Sequence, residues 1–174
     1  MKRALLRVGL AALCAVLLAG CVDSVGPILA DLQPVLGARL KLQLYFLRKR
    51  YAEDPKQASF AWNGKLYAHD GGGMTDVRDF SVHPFEGGNY IIKSLPEKRL
   101  QMAEYALMRP LADGVYQLVV IDEADAEAAT RAALCAKLLD IACRIATPEQ
   151  LYAFARATAA RRGDDGGLVI QLAE

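Results

Sequence analysis

A short stretch of the chain carries five side chains of the types that bind metals or move protons. They are His69, Asp70, Asp76, Asp79 and His83, and a triple glycine at 71–73 lies among them. Imidazole and carboxylate groups are ligands of zinc and other transition metals. A hairpin would bring the two histidines together, which would suit a metal site or a hydrolase. The spacing matches no metal-binding motif, so polar loop residues are the alternative, and we expect neither a metal nor another cofactor.

Other catalytic motifs are missing from the sequence. No Gly-x-Ser-x-Gly nucleophile motif occurs, and the triple glycine is not followed by the Lys and Ser or Thr of a phosphate-binding loop. The single tryptophan, Trp62, would suit the wall of an apolar pocket, although packing in a sheet core is the alternative. These observations favour a protein that is not an enzyme.

The N-terminal segment has the pattern of a secretory signal. Lys2, Arg3 and Arg7 make a basic start, and the 15 residues from Val8 to Val22 carry no charge. A membrane-spanning helix needs about 20 apolar residues, so this run is too short to be one. A basic region, a short apolar region and small residues at its end predict a secreted chain.

The end of that segment is more specific. Leu18-Ala19-Gly20-Cys21 resembles the lipobox of bacterial lipoproteins. The resemblance implies cleavage before Cys21, a diacylglycerol on its thiol, and a fatty acyl chain such as palmitate on the new amine. Two or more chains anchor a protein stably to a membrane without spanning it. Val22 rather than Asp follows the cysteine, which by the same resemblance favours the outer membrane over the inner, with the protein facing the periplasm.

Cleavage changes the charge and the domain division. The signal at 1–20 removes three of the 21 basic residues, which leaves 18 against 20 acidic ones. No basic face is implied, so nucleic acid is not an expected partner. We expect a lipidated tether with an N-terminal helix or strand at 21–57, followed by a single α+β domain at 58–174.

Two cysteines remain after the signal and the lipidated residue are set aside. Cys135 and Cys143 would meet an oxidising periplasm, which favours a disulfide, with two buried free thiols as the alternative. Residues eight apart on one helix are separated by about 12 Å, whereas the Cα atoms of a disulfide lie within about 7 Å. A disulfide therefore requires the chain to turn between the two cysteines.

The rest of the chain predicts an antiparallel meander followed by helices. Alternating runs flank Asn63-Gly64, the strongest short signal for a hairpin with a type I′ turn. Further strands are predicted at 79–83, 90–94, 102–108, 115–121 and 168–172, and helices at 128–139 and 148–161. The acidic run 122–127 is expected at the start of the first helix, and Thr147 with Gln150 predicts a capping box at the start of the second. Residues 35–50 fit helical spacing slightly better than a strand at 39–46. The expected fold is α+β, a sheet of six to seven strands curled toward a barrel with two C-terminal helices against it.

Three functions are compatible with these features. The first is a membrane-anchored envelope lipoprotein that binds an envelope protein or the cell wall, or supports the envelope, without catalysis. The second is a carrier of a small apolar ligand, which needs an open sheet interior with Trp62 on its wall. The third is a cell-wall hydrolase that uses the His69–His83 region.

Overall fold

The structure is a computed structural model and describes residues 21–24, 29, 33–46, 56–73, 79–94, 103–135, 137–138, 142–162 and 168–173. These residues form eleven strands and two α-helices. The elements are β1 (Cys21–Ser24), β2 (Arg39–Phe46), β3 (Lys56–Trp62), β4 (Tyr67–Gly73), β5 (Phe80–Pro84), β6 (Tyr90–Ser94), β7 (Ala103–Ala112), β8 (Val115–Val120), α1 (Ala128–Leu134), β9 (Lys137–Leu138), β10 (Ala142–Ile145), α2 (Pro148–Arg161) and β11 (Leu168–Ala173). Two short 3-10 turns lie at Glu86–Gly88 and Glu123–Asp125.

Eight of the strands close into an antiparallel barrel. The chain runs from β2 to β8 with each strand paired to the next, and β11 closes the ring by pairing with both β8 and β2. The remaining three strands extend outward from β7. There β1 pairs with the start of β7, runs parallel to β10, and β10 forms an antiparallel pair with β9.

The predicted meander and its curling toward a barrel are confirmed, but the predicted number of strands is too small. The missing barrel strand is β2, which lies inside the segment where we favoured a helix. Leu40, Leu42 and Leu44 are buried in the barrel, while Lys41 between them is exposed. β2 pairs with β3 on one side and with β11 on the other, so the segment is a strand and its two-residue alternation determines which side chains are buried. The helical spacing of the leucines has no counterpart in the structure.

Side chains from the barrel strands fill the interior. The buried members of this cluster are Leu40, Leu42, Leu44, Ala58, Phe60, Tyr67, Phe80, Val82, Met108 and Ile170. Val35 and Leu36, which precede β2, pack against the same cluster. The hydroxyl of Tyr67 accepts a hydrogen bond from Leu36 N and donates one to the carbonyl oxygen of Gly37, both at 3.0 Å. The segment before β2 is thereby fixed against the barrel core.

A second core lies outside the barrel, where α2 covers β6 and β7. Leu151, Phe154 and Ala155 of α2 are fully buried against Ile91 of β6 and Leu107 of β7. The helix begins with the predicted capping box. In it, the hydroxyl of Thr147 accepts from Gln150 N, and the side chain of Gln150 accepts from Thr147 N. The two predicted C-terminal helices are therefore present, and α2 packs on the sheet as expected.

Two local predictions need correction. The Asn63-Gly64 hairpin exists, but Trp62 pairs with Tyr67, so its loop has four residues instead of the two of a type I′ turn. The Asn63 side chain accepts from the backbone N–H groups of Lys65 and Leu66, which stabilises the longer loop. The first C-terminal helix was predicted to reach residue 139 but ends at Leu134, because the chain must reverse to bring Cys135 to Cys143.

Candidate functional site

The two histidines of the candidate metal or hydrolase site lie on opposite faces of the barrel wall. The ring of His69 contacts the ring of Phe60 edge-on, with 5.6 Å between ring centroids. Phe60 belongs to the interior cluster, so His69 faces the interior of the barrel. Phe80 and Val82 of β5 also face the interior, so His83, one residue further, faces outward. The hairpin that was expected to unite the histidines instead separates them by the thickness of the sheet.

Among the described residues, Asp70 and Asp79 form no group of metal ligands with either histidine. Asp79 accepts a hydrogen bond from the backbone N–H of His69 at 2.9 Å, which links β4 to the start of β5. Asp70 is exposed on β4, and Asp76 lies outside the described residues. The hydrogen bond to Asp79 joins β4 to the residue that precedes β5, so this carboxylate has a structural role.

Sequence reasoning missed a buried polar pair on the outer face of β5. The hydroxyl oxygen of Ser81 lies 2.8 Å from Nε2 of His83, and the two residues are only 8% and 5% exposed. Lys93 stands opposite Ser81 on β6, and Tyr105 stands opposite Lys93 on β7. A serine beside an imidazole resembles a nucleophile with its base, but these two side chains are covered. The sequence shows that Ser81 and His83 alternate with Phe80 and Val82. It does not show that the outer face of β5 is buried.

The single tryptophan is partly buried and packs against the interior cluster of the barrel. Its ring centroid lies 5.2 Å from that of Tyr67. Burial raises the pKa of the Tyr67 hydroxyl, and the hydrogen bond from Leu36 partly offsets this rise. A ligand carrier needs an open interior, and in the described part of the chain this interior is occupied by side chains.

The predicted disulfide is present. Cys135 and Cys143 are bonded, with their Cα atoms 5.4 Å apart. Cys135 caps the C-terminal end of α1, and Cys143 lies in β10 with no exposed surface. The required turn is the reversal between β9 and β10, where Cys143 pairs with Leu138. We call residues 135–145 the disulfide hairpin.

A carboxylate that sequence reasoning assigned to a helix start lies beside this disulfide. Among the described residues, one group of three metal-ligand side chains is close together, and it consists of Glu123, Cys135 and Cys143. One ligand atom from each lies within 4.8 Å of the other two. The Oε2 atom of Glu123 is buried. The sequence predicts the pairing of the two cysteines but not the position of Glu123, because only the fold brings it beside them.

An ion-pair cluster fixes the turn that carries Glu123. Asp122 caps the 3-10 turn, since its Oδ1 accepts from Ala124 N at 2.8 Å. Arg162, just after α2, lies 2.5 Å from Asp122 Oδ2 and 2.7 Å from Asp125 Oδ2. Arg161 donates to the carbonyl oxygen of Ala124. Asp122 and Asp125 of the acidic run therefore pair with Arg162 at the end of α2, and the run also precedes α1 as expected.

The residue expected to carry the lipid begins a strand of the sheet. Cys21 is the first residue of β1 and stands in register with Ala142 of β10, and Val22 stands in register with Cys143. Further along β1, Asp23 pairs with Glu104 of β7. Adjacent strands lie about 4.8 Å apart, so the backbone of Cys21 is close to the disulfide hairpin. The lipobox residues before it lie outside the described residues.

In comparisons with known proteins, no protein-family model, no curated protein and no solved structure matches the chain. Within the described residues, no helix has the length and apolar character needed to cross a membrane.

Proposed function

We propose that the protein is a non-catalytic lipoprotein of the bacterial cell envelope, anchored by acyl chains on Cys21, that supports or contacts envelope components. The observation that carries this proposal is the sequence Leu18-Ala19-Gly20-Cys21 at the end of a basic and then apolar segment. The proposed location is the outer membrane, with the protein facing the periplasm. The disulfide between Cys135 and Cys143 agrees with an oxidising compartment.

The arrangement of the barrel supports a role without catalysis. His69 and His83 do not share a face, and the Ser81–His83 pair is buried. A general base must come within hydrogen-bonding reach of a substrate proton, directly or through one water molecule. His83 is only 5% exposed and Nε2 of His69 is buried, which restricts that access. A hydrolase acting through this region would have to open the outer face of β5.

The surface formed by the described residues favours structural support or polar contacts over docking on a large apolar patch. In the described part of the chain, the large apolar side chains that stand exposed are Leu111 and Val120. They lie toward opposite ends of the β7–β8 hairpin, because Val120 pairs with Ala106 while Leu111 is next to the turn. Specific apolar interfaces need a contiguous patch, and these two residues do not make one.

The position of β1 adds a mechanical feature to the proposal. A lipid on Cys21 would be attached to a strand that is already paired with β10 and β7. The segment expected to be a tether thus contains strands of the sheet. Under this proposal the barrel is held close to the bilayer, with Cys21 and its partner Ala142 at the start of β10 nearest to the lipid.

Metabolic labelling tests the proposal. The full chain is expressed in a Gram-negative bacterium that is fed an alkyne-bearing fatty acid, and the label on the purified protein is measured. We expect label on the wild type and none on Cys21→Ser. Cys14→Ser is the matched control, because it alters a cysteine of the apolar signal and leaves Leu18-Ala19-Gly20-Cys21 intact. An unlabelled wild type, or equal label on Cys21→Ser, would contradict the proposal.

A further inference from the structure

We propose that reduction of the Cys135–Cys143 disulfide opens a zinc site formed by the two cysteine sulfurs and the carboxylate of Glu123. The inference is independent of the lipid anchor. It assigns the protein a metal-binding state that exists only when the two cysteines are reduced.

The geometry carries this inference. Each of the three side chains offers one ligand atom, and these atoms lie within 4.8 Å of one another. Zinc binds thiolate sulfur at about 2.3 Å and carboxylate oxygen at about 2.0–2.2 Å, so two sulfurs of a tetrahedral site are about 3.8 Å apart. Breaking the S–S bond allows the two sulfurs to separate to this distance, and their Cα atoms lie 5.4 Å apart. Side-chain rotation about the Cα–Cβ bonds covers movements of this size.

The surrounding elements hold the three residues in place without the disulfide. Cys143 is fixed by backbone pairing with Val22 on one side and Leu138 on the other. Cys135 N donates to the carbonyl oxygen of Arg131 at the end of α1. Glu123 lies in the 3-10 turn that Arg162 fixes through Asp122 and Asp125. Breaking the S–S bond removes none of these contacts, so the ligands stay near one another.

The chemistry balances with an external dithiol as the reductant. A thiolate of the dithiol attacks one sulfur of the disulfide, and the S–S bond breaks as a mixed disulfide forms. The second thiol of the reductant then attacks that mixed disulfide. Two electrons reach the protein, the reductant leaves as its own disulfide, and Cys135 and Cys143 become thiols. Zinc binding releases their two protons.

The donor set selects a borderline-soft divalent cation. Two thiolates and one carboxylate carry three negative charges in a partly buried place, and a dication offsets two of them. Calcium and magnesium prefer oxygen ligands, whereas thiolates favour zinc. Three protein ligands leave a fourth tetrahedral position for water, as in zinc sites that remain open.

The test uses the full chain carrying Cys14→Ser and Cys21→Ser, so that only the two cysteines of the site remain. The protein is reduced with a phosphine under anaerobic conditions and titrated with zinc in competition with a chromophoric chelator. We expect one zinc per reduced chain and none per oxidised chain. Cadmium in place of zinc should give a thiolate-to-metal absorption band. A reduced chain that binds zinc no more tightly than the oxidised chain would overturn the inference.

Matched carboxylate variants test the third ligand. Glu123→Gln should weaken zinc binding to the reduced chain by about 10- to 100-fold, at least the loss that follows removal of an outer-shell partner. Glu127→Gln, an exposed acidic residue just before α1, should leave the affinity unchanged. Formation of the disulfide in oxidised Glu123→Gln, measured by thiol counting, shows that the hairpin is still assembled. Equal affinities of the two assembled variants would overturn the role of Glu123.

Discussion

Val22 stands in parallel register with Cys143, so the residue after the expected anchor is paired with the strand that carries the disulfide. Cys143 in turn is buried against α2 in the outer core. The anchor segment, the disulfide hairpin and the main helix are therefore linked through a continuous set of backbone and side-chain contacts. A change in the disulfide should therefore affect the pairing of β1 with β10.

Loss of the disulfide should destabilise the protein. Cys135→Ser is expected to lower the free energy of unfolding by about 2–3 kcal/mol, because the unfolded chain is no longer constrained across a sequence separation of 8. Urea unfolding followed by circular dichroism measures the change. Phosphine reduction of the wild type should give a similar loss and should not affect the variant further. An unchanged unfolding midpoint would show that the hairpin is held by its other contacts.

The assignment of β2 to the barrel can be tested by a pair of neighbouring substitutions. Leu42→Ala removes a side chain that is only 4% exposed and is expected to lower the free energy of unfolding by about 2–5 kcal/mol. Lys41→Ala alters an exposed neighbour on the other face and should change it by no more than about 0.5 kcal/mol. Similar losses for both would contradict the alternation of β2.

Much of the barrel was accessible from the sequence because its signals are local. The pattern of Thr147 and Gln150 predicted the capping box of α2, and Asn63-Gly64 predicted the position of a hairpin. The need for a chain reversal between Cys135 and Cys143 followed from covalent geometry alone, and the β9–β10 pair supplies it.

What could not be predicted depends on contacts between distant segments. The leucines of β2 satisfy both a helical and a strand spacing, and only pairing with β11, over a hundred residues away, decides between them. His69 and His83 seemed to belong to one site because the alternation around His83 does not reveal which face of the neighbouring strand His69 occupies. Glu123 seemed to belong to a helix start, because its distance from the cysteines is a property of the folded chain.

Lys93 should make stability depend on pH in the alkaline range. Burial lowers the pKa of Lys93, whose position on β6 is between Ser81 and Tyr105 on the adjacent strands. Below the lowered pKa the lysine is charged in both states, and its burial is a cost to the folded state. As the pH rises from the folded toward the unfolded pKa, the unfolded chain binds more protons, so stability increases.

The corresponding variant is Lys93→Met, which keeps the length of the side chain and removes the charge. We expect it to be more stable than the wild type at pH 7, with a difference that shrinks as the pH rises toward the pKa of a free lysine. Urea unfolding across that range provides the measurement. Lys65→Met, in the exposed hairpin loop, is the matched control for replacing a lysine by methionine. A Lys93→Met difference that is constant with pH would contradict the expectation.

The ion pair between Arg156 and Glu86 should be visible in the titration of the carboxyl group. The hydrogen bonds from the Arg156 side chain hold the pKa of Glu86 below its ordinary value of 4.5. This contribution is present above the unfolded pKa and is lost as the pH falls through the folded pKa. Arg156→Ala should return the pKa of Glu86 toward 4.5 in a carboxyl NMR titration.

Glu149 provides the internal reference for that titration. Its pKa is also lowered, chiefly by a hydrogen bond to its own backbone and then by the Thr147 side chain, and neither depends on Arg156. It should therefore titrate unchanged in Arg156→Ala. A Glu86 pKa that does not move in this variant would show that α2 is not paired to the β5–β6 turn in solution.

The central claim is that Cys21 is the lipid-bearing first residue of the mature protein. The most direct measurement is the mass of the N-terminal peptide from protein extracted from the membranes of a Gram-negative bacterial host. The account predicts a peptide that begins at Cys21, lacks residues 1–20, and carries the added mass of a diacylglycerol, with or without a further acyl chain. A peptide that retains the signal, or one that begins at Cys21 or elsewhere with no lipid, would contradict it.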